Sequence, residues 1–125
     1  MDLDDTILAY DVVAKRVWLE VCTEFADQLG EITPEQLAAA VDEYRKWYWA
    51  DTKRHRDARL NLAPGQLDVV QGAFRRLGVE PPAAAEAIGN TYAERRQQAV
   101  SLFPGAVEAL EGLVDAGVRM ALVTN

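Results

Sequence analysis

Apolar side chains recur every fourth position at Val13, Val17, Val21, Phe25 and Leu29, with Trp18 and Cys22 beside them. That spacing lays one apolar stripe along an α-helix, and it predicts a helix from Asp11 that ends at Gly30. "TPEQ" follows, with Thr33 placed to cap, Pro34 in the first turn and Gln36 to close a capping box. A second helix through Leu37, Val41, Tyr44 and Tyr48 is therefore expected. "WYWADTKRHRDARLNLAPG" mixes aromatics with cations and has no apolar period, so it predicts a helix end and a loop up to Pro64-Gly65. Leu67, Val70, Phe74 and Leu77 mark a third helix that Gly78 terminates, and an Ala-rich fourth runs from about residue 83 to 99 after Pro81-Pro82. Residues 9–100 thus read as helical.

The pattern changes in "LFPGAVEALEGLVDAGVRMALVTN". Pro104-Gly105 opens a short helix through Val107, Leu110 and Val114, and Gly117 stops it. Met120 to Val123 is apolar at consecutive positions, which suits a parallel strand buried between helices, so 118–124 is expected to be a strand.

Half of the 125 residues are hydrophobic, enough to bury a core. Thirteen Lys and Arg against twenty Asp and Glu leave a charge of -7, which disfavours a broad nucleic-acid surface but not a local site for a small anion. Cys22, the only cysteine, can form no internal disulfide and falls within the first apolar stripe, where it is expected to pack. No apolar run approaches the roughly 18 residues that span a bilayer, and "MDLDDT" has neither the basic flank nor the apolar run of a signal peptide. A cytoplasmic protein with no membrane partner is expected.

The chemistry concentrates in "DLDDT". Asp2, Asp4 and Asp5 repel one another and are poor strand formers, so folding alone does not recommend them there. In extended backbone Asp2 and Asp4 would project to the same side. One carboxylate could then attack a phosphorus atom while the other moves a proton, with magnesium as the counter-charge suited to hard oxygen donors. The plainer alternative is an acidic turn, or a helix cap ahead of Val12 and Val13.

"DLDDT" together with "ALVTN" resembles the first and second motifs of the haloacid dehalogenase-like (HAD) superfamily. The helical stretch between them is similar to members that carry a helical cap. "WYWADTKRHRDARLNL" and the final segment look most like the small-metabolite phosphatases that include nucleotide and acylneuraminate phosphate hydrolases. The resemblance implies an α/β protein: a partial Rossmann-like core at 1–8 and 101–125, with residues 9–100 as an all-helical cap. It also implies magnesium-dependent hydrolysis of small phosphorylated metabolites through an aspartyl-phosphate. Asp2 would be the nucleophile and a magnesium ligand, and Asp4 the general acid/base whose carbonyl also touches the metal. Thr6 would order the loop, and Thr124 and the Asn125 amide would bind phosphoryl oxygens; Asp5 receives no role. The family's first strand would precede Asp2, and its third-motif cation and fourth-motif acids would follow Asn125. By the resemblance, then, this chain is a fragment with little turnover of its own.

Other readings stay open. A phosphomutase would keep Asp4, whereas HAD dehalogenases and phosphonate hydrolases lack an acid there; a non-catalytic helical binding module would need neither motif. "KRHRDAR" is expected to be a solvated basic face, because cationic runs usually are. The sharper alternative has Arg54, Arg56 or Arg59 reaching over the phosphate pocket to select substrate. Trp47, Tyr48 and Trp49 are expected to pack between helices, although three consecutive residues cannot all face inward and at least one should be exposed or face the cleft.

Overall fold

A computed structural model describes residues 3 and 5–123. Its regular elements are helices: α1 Tyr10–Glu24, α2 Pro34–Ala50, α3 Thr52–Leu60, α4 Leu62–Arg76, α5 Ala85–Ala99 and α6 Ala106–Asp115, with a 3-10 turn at Ala26–Gln28. Helix α1 packs on α2 and α5, and α4 closes the ring against the same two helices. The stripe predicted for α1 faces inward, with Val13, Val17, Trp18, Val21 and Cys22 buried. They meet Leu37 and Val41 of α2, Val69, Val70 and Phe74 of α4, and Ile88 and Tyr92 of α5 in one continuous core. Burial of this apolar surface, more than helix propensity, holds helices of this length together.

The local signals act as their chemistry requires. Thr33 Oγ1 accepts from the Gln36 N–H at 3.1 Å while Gln36 Oε1 accepts from the Thr33 N–H at 2.9 Å, which completes the capping box of α2. Gly78, at φ +74°, closes α4 in a Schellman motif, its N–H donating to Arg75 O and the Val79 N–H to Phe74 O. Gly72 serves packing instead: a Cβ there would lie 2.1 Å from Cζ of Tyr44, so the Tyr44 ring of α2 occupies the space that a side chain on α4 would need. Helix α1 ends at Glu24, short of the expected Gly30. The apolar spacing runs on past its end because the 3-10 turn still delivers Leu29, only 3% exposed, to the core.

The expected loop after Tyr48 is a helix, α3. Asp51 caps it, Oδ1 accepting from the Arg54 N–H at 2.8 Å, and Ala58 is its only buried residue. With one inward residue it has no apolar stripe to betray it, and it bridges α2 and α4 as a polar strap.

The larger correction concerns fold class. No strand and no sheet occur among the described residues, so the expected α/β, Rossmann-like core is not present and the protein is helical. Residues 118–123, expected as a buried strand, are exposed and belong to no strand among the described residues. Strand hydrogen bonds are made between segments, so an apolar run becomes a strand only where a sheet is there to receive it. Among the described residues the only β-type contact is an isolated antiparallel bridge between Leu8 and Leu102, where the Ala9 N–H donates to Ser101 O at 3.0 Å and the Phe103 N–H to Ile7 O at 2.9 Å. It ties the chain entering α1 to the chain leaving α5. Helix α6 buries none of its residues.

Candidate functional site

The acidic motif begins the site. Asp2 and Asp4 lie outside the described residues, as do Thr124 and Asn125, so the proposed nucleophile, acid/base and phosphoryl donors have no described geometry. Around them the chain turns tightly: Leu3 O accepts from the N–H groups of Ile7 and Leu8, and the Asp5 N–H donates to Leu8 O. Asp5 adopts φ +55°, a left-handed conformation that Asp tolerates better than most residues. Its Oδ1 accepts from the Asp11 N–H at 2.7 Å, in the first turn of α1. Asp5, which received no role from the sequence, is therefore a remote cap for α1, as the plainer alternative for this motif allows. Thr6 is exposed on the same turn.

Beside Asp5 the bundle opens into a cavity of about 410 Å³ lined by residues of α1, α2, α3, α4 and α5. Its cations are Arg45, Lys46, Arg59 and Arg96, with His55 beside them, and its flat walls are Tyr10, Trp18, Trp49 and Tyr92. Trp18 and Tyr92 stack with centroids 3.6 Å apart and planes 8° apart, joining α1 to α5 at the cavity wall. The buried Trp18 Nε1–H has no well-formed hydrogen bond among the described residues. Burial pushes the Tyr92 hydroxyl up to about 12, so it stays a neutral donor at any ordinary pH. Burial does the same to Cys22, up to about 12, which fits the packing role expected for it.

The basic stretch divides three ways. Arg54 lies over the Trp47 ring, 3.8 Å from its centroid, and donates to the carbonyls of Trp47 and Tyr48, so it serves α2 rather than the cavity. Arg56 is exposed and does not line the cavity. Arg59 does, as does His55, whose ring stands edge-on to Trp49 at 5.5 Å. Arg59 stays exposed, as a solvated face requires, while His55 is partly buried, and both line the cavity because α3 continues as a helix and turns one side toward α4. Of the aromatic triplet, Trp47 is exposed, Tyr48 is buried and Trp49 faces the cavity, as consecutive helical positions require.

Not every cation at the cavity is available to a ligand. Arg45, only 9% exposed, donates to Asp11 Oδ1 at 2.5 Å and to Asp42 Oδ1 at 2.6 Å, tying α2 to the start of α1. Lys46 donates to Asp42 Oδ2 at 2.9 Å. The Arg45 hydrogen bond holds the Asp11 carboxyl below the usual carboxylate range. For Asp42 burial acts upward, but the bonds from Lys46 and Arg45 outweigh it and the net shift is also down. Carboxyls lowered in this way stabilise the fold fully above the unfolded value of about 3.9 and lose that contribution as pH falls through their folded values. Arg45→Met is therefore expected to cost about 1–3 kcal/mol at pH 6. Urea melts at pH 6 and pH 2 should show that difference shrinking on acidification; an equal cost at both would mean that packing, and not the ion pairs, accounts for it.

Among the described residues no three His, Cys, Asp or Glu side chains cluster in a way that could hold a metal ion. No described helix is long and apolar enough to cross a membrane. Comparison with protein-family models, with curated proteins and with solved structures returned no match, so the helical bundle and its cationic, aromatic-walled cavity are the grounds on which function is argued.

Proposed function

We propose that the protein is a magnesium-dependent phosphatase of small phosphorylated metabolites, in which the bundle supplies the substrate pocket and the N-terminal motif the chemistry. The observation that supports this reading most is the cavity: cations and aromatic walls converge on a space of metabolite size, and its rim includes Asp5 of the stretch that also holds Asp2 and Asp4. The Asp2 carboxylate would attack phosphorus, forming an acyl phosphate as the bond from phosphorus to the alcohol oxygen breaks and Asp4 gives that oxygen its proton. Asp4 would then take a proton from water as the water oxygen attacks phosphorus, releasing inorganic phosphate and restoring Asp2. Thr124 and the Asn125 amide would donate to phosphoryl oxygens. Carboxylate oxygens are the hard donors that magnesium prefers, and Asp2 and Asp4 would hold it. When bound, the ion would neutralise charge on the phosphoryl group.

Asp4→Asn is the informative variant for the proton transfer. It should lower kcat/KM, which reports formation of the acyl phosphate, by roughly 100- to 10,000-fold for an alkyl phosphate and much less for nitrophenyl phosphate, because nitrophenolate leaves without a proton. Phosphate release is measured with magnesium for the chain and for the protein encoded by its whole reading frame. Equal losses on both substrates would remove Asp4 from the acid role. One observation favours a second reading, a non-catalytic anion-binding module: Asp5 is already engaged in capping α1. Saturable anion binding with no magnesium-dependent turnover by either protein would establish that reading instead.

A further inference from the structure

We infer that the cavity holds a second anionic group of the substrate between Arg59 and Arg96, while the uncharged remainder of the molecule runs into the groove between α4 and α5. Calling the ligand a substrate rests on the phosphatase reading; the anion site itself needs neither Asp2 nor Asp4. The phosphoryl group that reacts belongs, in that reading, to Asp2, Asp4 and Thr124, so Arg59 and Arg96 are surplus to the chemistry.

A count of charge partners singles out the two arginines. Asp11 and Asp42 already neutralise Arg45, and Asp42 also holds Lys46. Arg59 and Arg96 have no carboxylate partner among the described residues, although the protein as a whole is acidic at -7. The Arg96 guanidinium lies over the Tyr10 ring, 4.6 Å from its centroid, which fixes the plane of its donors. Its Nε–H is buried and finds no acceptor among the described residues. A buried guanidinium donor left unpaired is costly, and the acceptor that matches a planar fork is a carboxylate or phosphate.

The surroundings set the direction of the ligand. A second cavity, about 570 Å³, shares Leu62, Gln66 and Arg96 with the first. Beyond those three its walls are uncharged, among them Ala63, Asn90, Ala93 and Gln97. Asp5 and the two arginines thus line one cavity, and Arg96 also lines the adjoining groove of small side chains and amides. A molecule that fits this arrangement carries its phosphoryl group at one end, an anion in the middle and an uncharged, hydrogen-bonding chain beyond.

Intrinsic tryptophan fluorescence tests this directly, because Trp18 and Trp49 line the first cavity. The chain is titrated at low ionic strength in EDTA with two short anions, acetate and inorganic phosphate, and two with hydroxylated tails, gluconate and glucose 6-phosphate. Saturable binding is expected, with each tailed anion about tenfold tighter than its short counterpart, and the tighter pair identifies the middle group as carboxylate or phosphate. Arg59→Met and Arg96→Met should each weaken all binding about tenfold. Ala93→Phe, which fills the groove, should abolish the advantage of the tail and leave the short anions unchanged. Magnesium-dependent phosphate release is assayed in parallel, so binding without turnover fails the phosphatase reading alone and turnover without binding fails the anion site alone. Far-UV circular dichroism checks each fold. Should Arg96→Met not fold, the exposed Arg59→Met and the charge-retaining Arg96→Lys, expected to bind at an intermediate level, decide the matter. No saturable binding, or affinities within twofold of wild type in the arginine variants, would overturn the anion site, and an undiminished tail preference in Ala93→Phe would overturn the groove.

Discussion

Replacing Trp18 by Ala should destabilise the bundle by about 3–5 kcal/mol, the range for deleting a large aromatic side chain from a packed interior. Trp18 is 1% exposed and stacks on Tyr92, so its loss opens a hole at the seam of α1 and α5. Against the roughly 5–15 kcal/mol typical of small domains, this is a large share of the total. Trp18→Phe is expected to behave differently. It keeps an aromatic ring against Tyr92 and removes an indole N–H that has no well-formed hydrogen bond among the described residues, so the smaller volume and the relieved polar group offset each other. Its cost should stay below about 1.5 kcal/mol. Urea denaturation followed by far-UV circular dichroism measures both, and a Trp18→Ala cost under about 1 kcal/mol would show that the stack does not organise the seam. Trp18 also walls the cavity, so a folded Trp18→Ala protein should bind anions more weakly than wild type.

Asp2→Asn carries the largest expected effect on activity. An amide is not a nucleophile at phosphorus, so the covalent step has no alternative donor in the motif: Asp4 is assigned to proton transfer, and the Asp5 carboxylate caps α1. Magnesium-dependent phosphate release should fall by roughly a thousandfold or more, as when a nucleophile that acts in concert with its partners is removed. The loss should be the same for alkyl and aryl phosphates, unlike that of Asp4→Asn, because attack is required whatever leaves. Rapid-quench labelling with a radioactive phosphomonoester adds a second readout: acid-stable, hydroxylamine-sensitive label should form on wild type and be absent from Asp2→Asn. Wild-type rates in the variant would refute the covalent mechanism.

Legibility followed the physics of each segment. The stripes of α1, α2 and α4 were evident because each helix turns several apolar residues to one core, and period is what such burial imposes. Caps and stops were legible because they are local: the Thr33 and Gln36 box closes within three residues, and Gly78 needs only the last turn of α4. Helix α3 was not, since a strap with one buried residue carries no period. The strand expected at 118–124 was an inference from composition, and consecutive apolar residues state a wish for burial without naming the partner that satisfies it.

The candidate site divides along the same line. The sequence by itself determined where α2 starts and α4 stops, that most of the apolar stripes of α1 and α2 enter the core, and that three carboxylates stand together near the first residue. Tertiary structure alone decided which cations share a cavity, because Arg59 and Arg96 are 37 positions apart and meet only when α3 and α5 pack around α4. It also decided which cations are already neutralised: Arg45 pairs with Asp11 across 34 positions, a contact that no short-range pattern encodes. Periodicity and capping are set by neighbours in sequence, whereas charge balance and cavity shape are set by neighbours in space.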